Sequence, residues 1–151
     1  MAIYFFSQSD THRDFSNFAS YPIDIEGERW ATTEHYYQAQ KFMDPALQAE
    51  IRNAEHPAKA KRLANKHKAA IRPDWDAVKD DVMYRCVRQK FAQHASMREL
   101  LLSTGDEDIV ENAPNDYYWG VGRDGTGRNM LGCILMRLRN ELRKEAAAET
   151  G

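Results

Sequence analysis

A chain of 151 residues and 17.4 kDa is long enough to bury well over half of its unfolded surface, so one domain with a self-sufficient core is expected. Its formal net charge of −2 and pI near 6.2 speak against a general binder of nucleic acid or membrane surfaces. No stretch is apolar for long enough to span a bilayer. Cys86 and Cys133 form no CxxC pair and fall on predicted apolar helix faces, which points to buried reduced thiols in a cytoplasmic protein and away from a disulfide or zinc site. The start, Met1 to Phe6, lacks a basic n-region and runs into Ser7-Gln8-Ser9-Asp10, unlike a signal peptide.

Ile3 to Phe6 reads as a short buried strand, followed by a polar loop reaching Ser20. Within that loop, Phe15-Ser16-Asn17-Phe18 has two readings: aromatic plugs around an Asn-stabilised turn, or a turn whose Asn17 amide contacts a ribose or base. Tyr21 to Ile25, the turn Glu26-Gly27-Glu28 and Arg29 to Ala31 predict a hairpin, with Pro22 restricting its first arm to an edge. Arg29 is open to a phosphate clamp or to an ordinary surface position. The hairpin leads into Thr33-Glu34-His35-Tyr36-Tyr37-Gln38-Ala39-Gln40-Lys41-Phe42. Here Thr33 is expected as the N-cap, with Glu34 in the first turn, where the helix dipole favours a carboxylate. At 3.6 residues per turn Glu34, Gln38 and Lys41 share one face with Tyr37 beside them, which fits either an active-site helix or ordinary end-capping charges.

Asp44-Pro45 and His56-Pro57 each place a proline where a helix can begin, so two short helices are expected. From Lys59 to Arg72 the chain carries six cations and no acid, either a solvated helix face or a landing strip for phosphates. Trp75, Val78, Val82 and Cys86, with Met83, Val87 and Phe91, then predict a long amphipathic helix over about 74–94. Trp75 is equally a core residue or a surface for stacking on a base. Ser96 and Glu99 look like a capping box for a short helix that ends before a left-handed Gly105, and Ile109-Val110 suggests a strand. Gly120, Gly122 and Gly125 match GxGxxG, yet no βαβ unit surrounds them, so the stretch is expected to be a Gly-rich loop whose amides approach a phosphate. A last helix is expected over about 130–144 on a stripe of Leu131, Ile134, Leu135, Leu138 and Leu142, with a frayed tail over 146–151. The fold expected is mainly α (α+β), one domain over 1–145 with a small β element near the N-terminus.

Five pieces together resemble one family: Asp14-Phe15-Ser16-Asn17-Phe18, the Thr33–Phe42 stretch, Lys90-Phe91, Asp116-Tyr117-Tyr118-Trp119-Gly120, and Asn129-Met130-Leu131-Gly132 leading into Leu135-Met136-Arg137-Leu138-Arg139. In order and spacing they are similar to the YbiA-like, or NADAR, superfamily. The resemblance implies an N-glycosidase: YbiA-like members cleave ribosylamino-pyrimidine phosphates of riboflavin biosynthesis, and NADAR relatives remove ADP-ribose from guanine. A non-catalytic nucleotide- or ADP-ribose-binding module is the rival class. Cleaving an N-glycoside requires relief of charge on the sugar, capture of C1 and a proton for the departing base. Glu34 and Asp116 are the candidate carboxylates for this work. Lys41 is the candidate amine, able to form a Schiff base with an opened ribose if its ordinary pKa of about 10.4 is lowered. Ser16, Asn17, Gln38, Trp75, Trp119, Gly120 and Asn129 are the expected substrate contacts. The five histidines show no HxxxH or His/Cys pattern, so neither metal nor cofactor is expected. The expected partner is a small phosphoribosyl or ADP-ribosyl substrate, with ADP-ribosylated DNA as the alternative.

Overall fold

The computed structural model describes residues 1–150. In chain order its elements are β1 (Ile3–Phe5), β2 (Ile23–Ile25), β3 (Glu28–Trp30), α1 (Thr33–Ala39), α2 (Pro45–Arg52), α3 (Pro57–Lys66), α4 (Trp75–Gln93), α5 (Ala95–Ser103), β4 (Ile109–Glu111) and α6 (Met130–Thr150). This is the mainly helical class with a small β component that the sequence predicts. Contacts group the chain into two units: Asn17–Gln93, and Met1–Ser16 with the chain from His94 onward. Among the described residues no helix is long and apolar enough to cross a membrane.

In the Asn17–Gln93 unit, β2 and β3 pair antiparallel around Glu26 and Gly27, both at positive φ (53° and 82°), the conformation a two-residue hairpin turn requires. Ile23 and Ile25 face inward while Asp24 faces out. On the edge of β2 the Gln93 amide bonds both backbone groups of Asp24, at 2.8 and 2.9 Å, satisfying a strand that has one partner strand. α1 has 7 residues, all buried, and packs on β3, α2, α3 and α4. A helix this short is unstable alone, so tertiary packing holds it. Its N-cap is Thr32, one residue before the expected Thr33: the Thr32 hydroxyl accepts from the His35 N–H at 3.2 Å. Thr33 instead donates its hydroxyl to Asn17 Oδ1 at 2.8 Å, a partner remote in sequence. α2 and α3 begin at Pro45 and Pro57 as predicted, capped by Asp44 accepting from the Ala46 N–H (3.0 Å) and His56 Nδ1 accepting from the Lys59 N–H (3.2 Å).

In the other unit β1 and β4 pair in parallel, Ile3 with Ile109 and Phe5 with Glu111. Phe5 meets Phe15 edge to face at 5.7 Å in a core shared by Met97, Leu101, Ile109, Leu131, Leu135 and Leu138. Buried Arg139 reaches from α6 to Thr104 Oγ1 (2.9 Å) and the Glu107 carbonyl (2.7 Å), closing the end of α5. Three expectations need correction here. The Ser96–Glu99 capping box does not form, because α5 starts at Ala95 and Ser96 lies inside it. α6 continues past Lys144 to Thr150, so the tail predicted to fray is helical over 146–150, as the strong helix formers Glu145 to Glu149 favour, while Gly151 lies outside the described residues. Cys133 is exposed, not buried, since it lies off the Leu stripe of α6; Cys86 is buried as predicted.

Candidate active site

Burial of α1 places Glu34 at 7 % exposure and Gln38 one turn on at 3 %. Gln38 Nε2 donates to Glu34 Oε1 at 3.1 Å, so a carboxyl group near the positive end of the helix has an amide donor fixed against it. Directing its N–H₂ toward Glu34 turns Gln38 Oε1 the other way, where it is buried without a hydrogen-bond partner. α4 supplies the facing wall. Met83 Sδ accepts from Asn17 Nδ2 at 3.3 Å, and Cys86 Sγ lies 3.9 Å from the Thr33 carbonyl. Burial pushes the Cys86 thiol well up; the charge on Glu34 adds to this and that on Lys90 opposes it, so both charged groups act on the same sulfur.

Lys41 lies beyond α1. The helix expected to run to Phe42 ends at Ala39, with Gln40 as C-cap, and the Lys41 N–H closes a tighter turn onto the Gln38 carbonyl at 3.3 Å. Lys41 is half-buried, with Nζ 5.5 Å from the centre of the Tyr37 ring. Tyr37 in turn meets buried Trp75 at 5.2 Å. Glu34 and Gln38 therefore share a face of α1 as predicted, whereas a turn and not that helix face delivers Lys41.

His35 points to another side of α1. Its Nε2 lies 3.0 Å from the Ala54 carbonyl, which can only accept, so Nε2 carries the proton; Nδ1 then accepts from the Thr32 hydroxyl at 2.8 Å. Burial depresses the imidazole below its ordinary 6.5, with His56 adding to the effect. A neutral buried histidine contributes stability that is present above 6.5 and is lost as the pH falls below it, because the unfolded chain takes up the proton first. Thermal melts should show Tm falling from pH 7.5 to 5.5 in wild type and falling less in His35→Gln. On this side opens a cavity of about 450 Å³ lined in part by His35, Arg29, Arg52 and His56. Its two guanidiniums are already engaged, Arg29 with Asp24 and Arg52 with Glu28, which assigns Arg29 to a surface ion pair rather than a phosphate clamp.

The remaining predicted residues lie in the other unit. Asp116 Oδ1 accepts from the N–H groups of Tyr118 (3.0 Å) and Trp119 (2.8 Å), shaping the loop that carries them. Trp119 is buried with Tyr118 edge-on at 4.9 Å. At Gly120 a Cβ would sit 2.9 Å from the Glu111 carbonyl, so only glycine lets this loop pass the end of β4. Asn129, at φ 52°, spends its side chain on β4: Oδ1 accepts from the Glu111 N–H and Nδ2 donates to the Ile109 carbonyl, each at 2.9 Å. Ser16 is buried. Asn17, Glu34, Gln38, Lys41 and Trp75 are thus brought together in one unit, and Ser16, Asp116, Trp119, Gly120 and Asn129 belong to the other. The side chains of Asn17 and Asn129 both act as clamps. Lys90, fully buried on α4, was legible only as a motif piece; its signal is a lysine on the stripe that also carries Met83, Cys86 and Val87.

α1 thus carries a buried carboxylate held by an amide, and the turn after it a lysine over an aromatic ring, groups suited to acid–base or nucleophilic chemistry. The NADAR domain family matches residues 4–143. N-glycosidase YbiA of Escherichia coli (strain K12) is 47 % identical over 140 residues, covering 93 % of this chain and 88 % of that protein. Riboflavin biosynthesis protein VVA0006 of Vibrio vulnificus is 42 % identical over 144 residues, covering 95 % of this chain and 39 % of that protein. The NMR structure of E. coli YbiA superposes with a TM-score of 0.90 at 46 % identity, covering 97 % of this chain and 88 % of that one. The chain belongs to the NADAR family. Its activity class is N-glycosidase, a hydrolase acting on N-glycosyl compounds.

Proposed function

We propose that the chain hydrolyses the N-glycosidic bond of ribosylamino-pyrimidine phosphates and releases ribose 5-phosphate. The observation that carries this is the buried Glu34–Gln38 pair on α1, followed in the next turn by Lys41 over the Tyr37 ring. The names of the YbiA and riboflavin-biosynthesis relatives support the substrate class. In this proposal Glu34 moves protons and stabilises the cation developing at C1, while the orphaned Gln38 Oε1 receives an N–H or O–H of the substrate. A ribosylamine opens readily, and Lys41 Nζ then bonds to C1 as the C1–N bond to the base breaks and the base leaves with a proton. Water adds to the resulting imine, returning the amine and releasing the sugar phosphate. Asp116 is the second candidate carboxylate, and Trp119 and Gly120 are candidates for the base and the phosphate.

The test incubates purified protein with ribosylamino-pyrimidine phosphate, with no metal added, and follows release of ribose 5-phosphate. Binding without release would leave a binding module in place of an enzyme. The alternative substrate, ADP-ribosylated guanine in nucleic acid, is favoured by one observation: Lys61, Arg62, Lys66 and Lys68, on and just beyond α3, are all exposed. If they guide a polyanion, activity on ADP-ribosylated oligonucleotides should fall steeply with salt, whereas a flat response favours the small metabolite.

A further inference from the structure

Lys90 presents a physical problem that the proposed chemistry does not use. It is 1 % exposed, and a buried ammonium is unfavourable unless an anion or a set of acceptors compensates it. Within the Asn17–Gln93 unit, Glu34 is the buried carboxylate and Lys90 the buried cation; every other Asp, Glu, Lys and Arg there is half-buried or exposed. The helices that carry them, α1 and α4, pack on each other. Cys86 lies one turn before Lys90 on α4, and its sulfur sits 3.9 Å from the carbonyl of Thr33, the residue that precedes Glu34. The Cys86 thiol is influenced by the charges of both residues, in opposite senses. The Lys90 Nζ also lies 5.4 Å from the Tyr21 ring centre and 5.9 Å from that of Phe91.

We propose that Lys90 is a positioning residue for Glu34, a buried ammonium that holds the carboxylate ionised and oriented without itself touching the substrate. This rests on the assignment of Glu34 as the acid–base group. The elements packed around Glu34 carry other titratable and charged groups as well. On α1, Lys41 sits beyond the helix end over Tyr37, and Gln38 is uncharged. On α4, Cys86 stays a neutral thiol, and Arg85 is bonded to the Tyr36 hydroxyl. The side of α1 toward the segment joining α2 and α3 carries neutral His35, with His56 near it.

The experiment compares wild type, Lys90→Met and Lys90→Arg. Carboxyl titration by 13C NMR, with Glu34 assigned from Glu34→Gln, should place the Glu34 midpoint higher in K90M by about one pH unit or more and close to wild type in K90R. The acidic limb of the pH profile of kcat/KM should move up by the same amount in K90M. An unchanged midpoint in folded K90M overturns the proposal. The titration needs no turnover, so a wild type that never releases sugar would overturn the proposed function and leave Lys90 decided on its own evidence. Should K90M fail to fold, the K90M/E34Q pair decides. Mutual compensation predicts that the double variant recovers a melting transition, higher by on the order of 10 °C than independent losses allow. A double variant as unstable as the sum, or unfolded as well, also overturns it.

Discussion

Glu34→Gln should lower turnover by on the order of a thousandfold or more while the protein keeps its far-UV CD spectrum, because general acid–base catalysis typically contributes about 10²–10⁴-fold. The substitution is nearly isosteric, and the Gln38 N–H₂ can still donate to the new amide oxygen, so the packing of α1 is retained while the proton-carrying group is lost. The loss should appear in kcat with little change in KM, as expected for an interaction made chiefly in the transition state. An E34Q protein with near wild-type kcat would remove Glu34 from the chemistry and shift the burden to Asp116. That residue needs a paired test, since Asp116→Ala also deletes the acceptor that orders Tyr118 and Trp119. Asp116→Asn preserves the acceptor. Activity retained in D116N but lost in D116A would confine Asp116 to shaping its loop.

Lys41→Arg should be nearly inactive, by about 10⁴-fold or more, if the amine attacks C1, because a guanidinium keeps the charge but cannot form the imine. Borohydride added during turnover should reduce the imine and leave the sugar on wild-type Lys41 alone, read as a mass increase on the peptide that contains it. The surroundings favour this role. Lys41 is half-buried over the face of Tyr37, whose ring meets that of Trp75 edge-on, so aromatic surface lies against the lysine and favours a lowered pKa. An active K41R with no trapped adduct would leave Lys41 as a charge and the carboxylates to carry the hydrolysis.

What the sequence determined by itself is the set of elements whose causes are local. Proline at the first helical position marks the starts of α2 and α3, Glu26-Gly27 with flanking alternation marks the hairpin, and apolar spacing marks α4 and the stripe of α6. The same local spacing put Glu34 and Gln38 on neighbouring turns, within hydrogen-bond reach. What only the tertiary structure decided depends on partners far away in the chain. Thr33 is not the cap: it donates its hydroxyl to Asn17, sixteen residues earlier, and so ties the start of α1 to the loop before β2. Asn129 is committed in the same way by β4. α1 ends at Ala39 although the helical pattern continues, and Lys41 reaches Tyr37 from a turn whose carbonyl accepts from the Arg72 N–H at 2.8 Å. Lys90 is legible in the sequence only as part of the Lys90-Phe91 piece. Its burial is a property of the surfaces packed around it, since the free energy of a charge is set by the dielectric and counterions that folding assembles, not by the residues beside it in the chain.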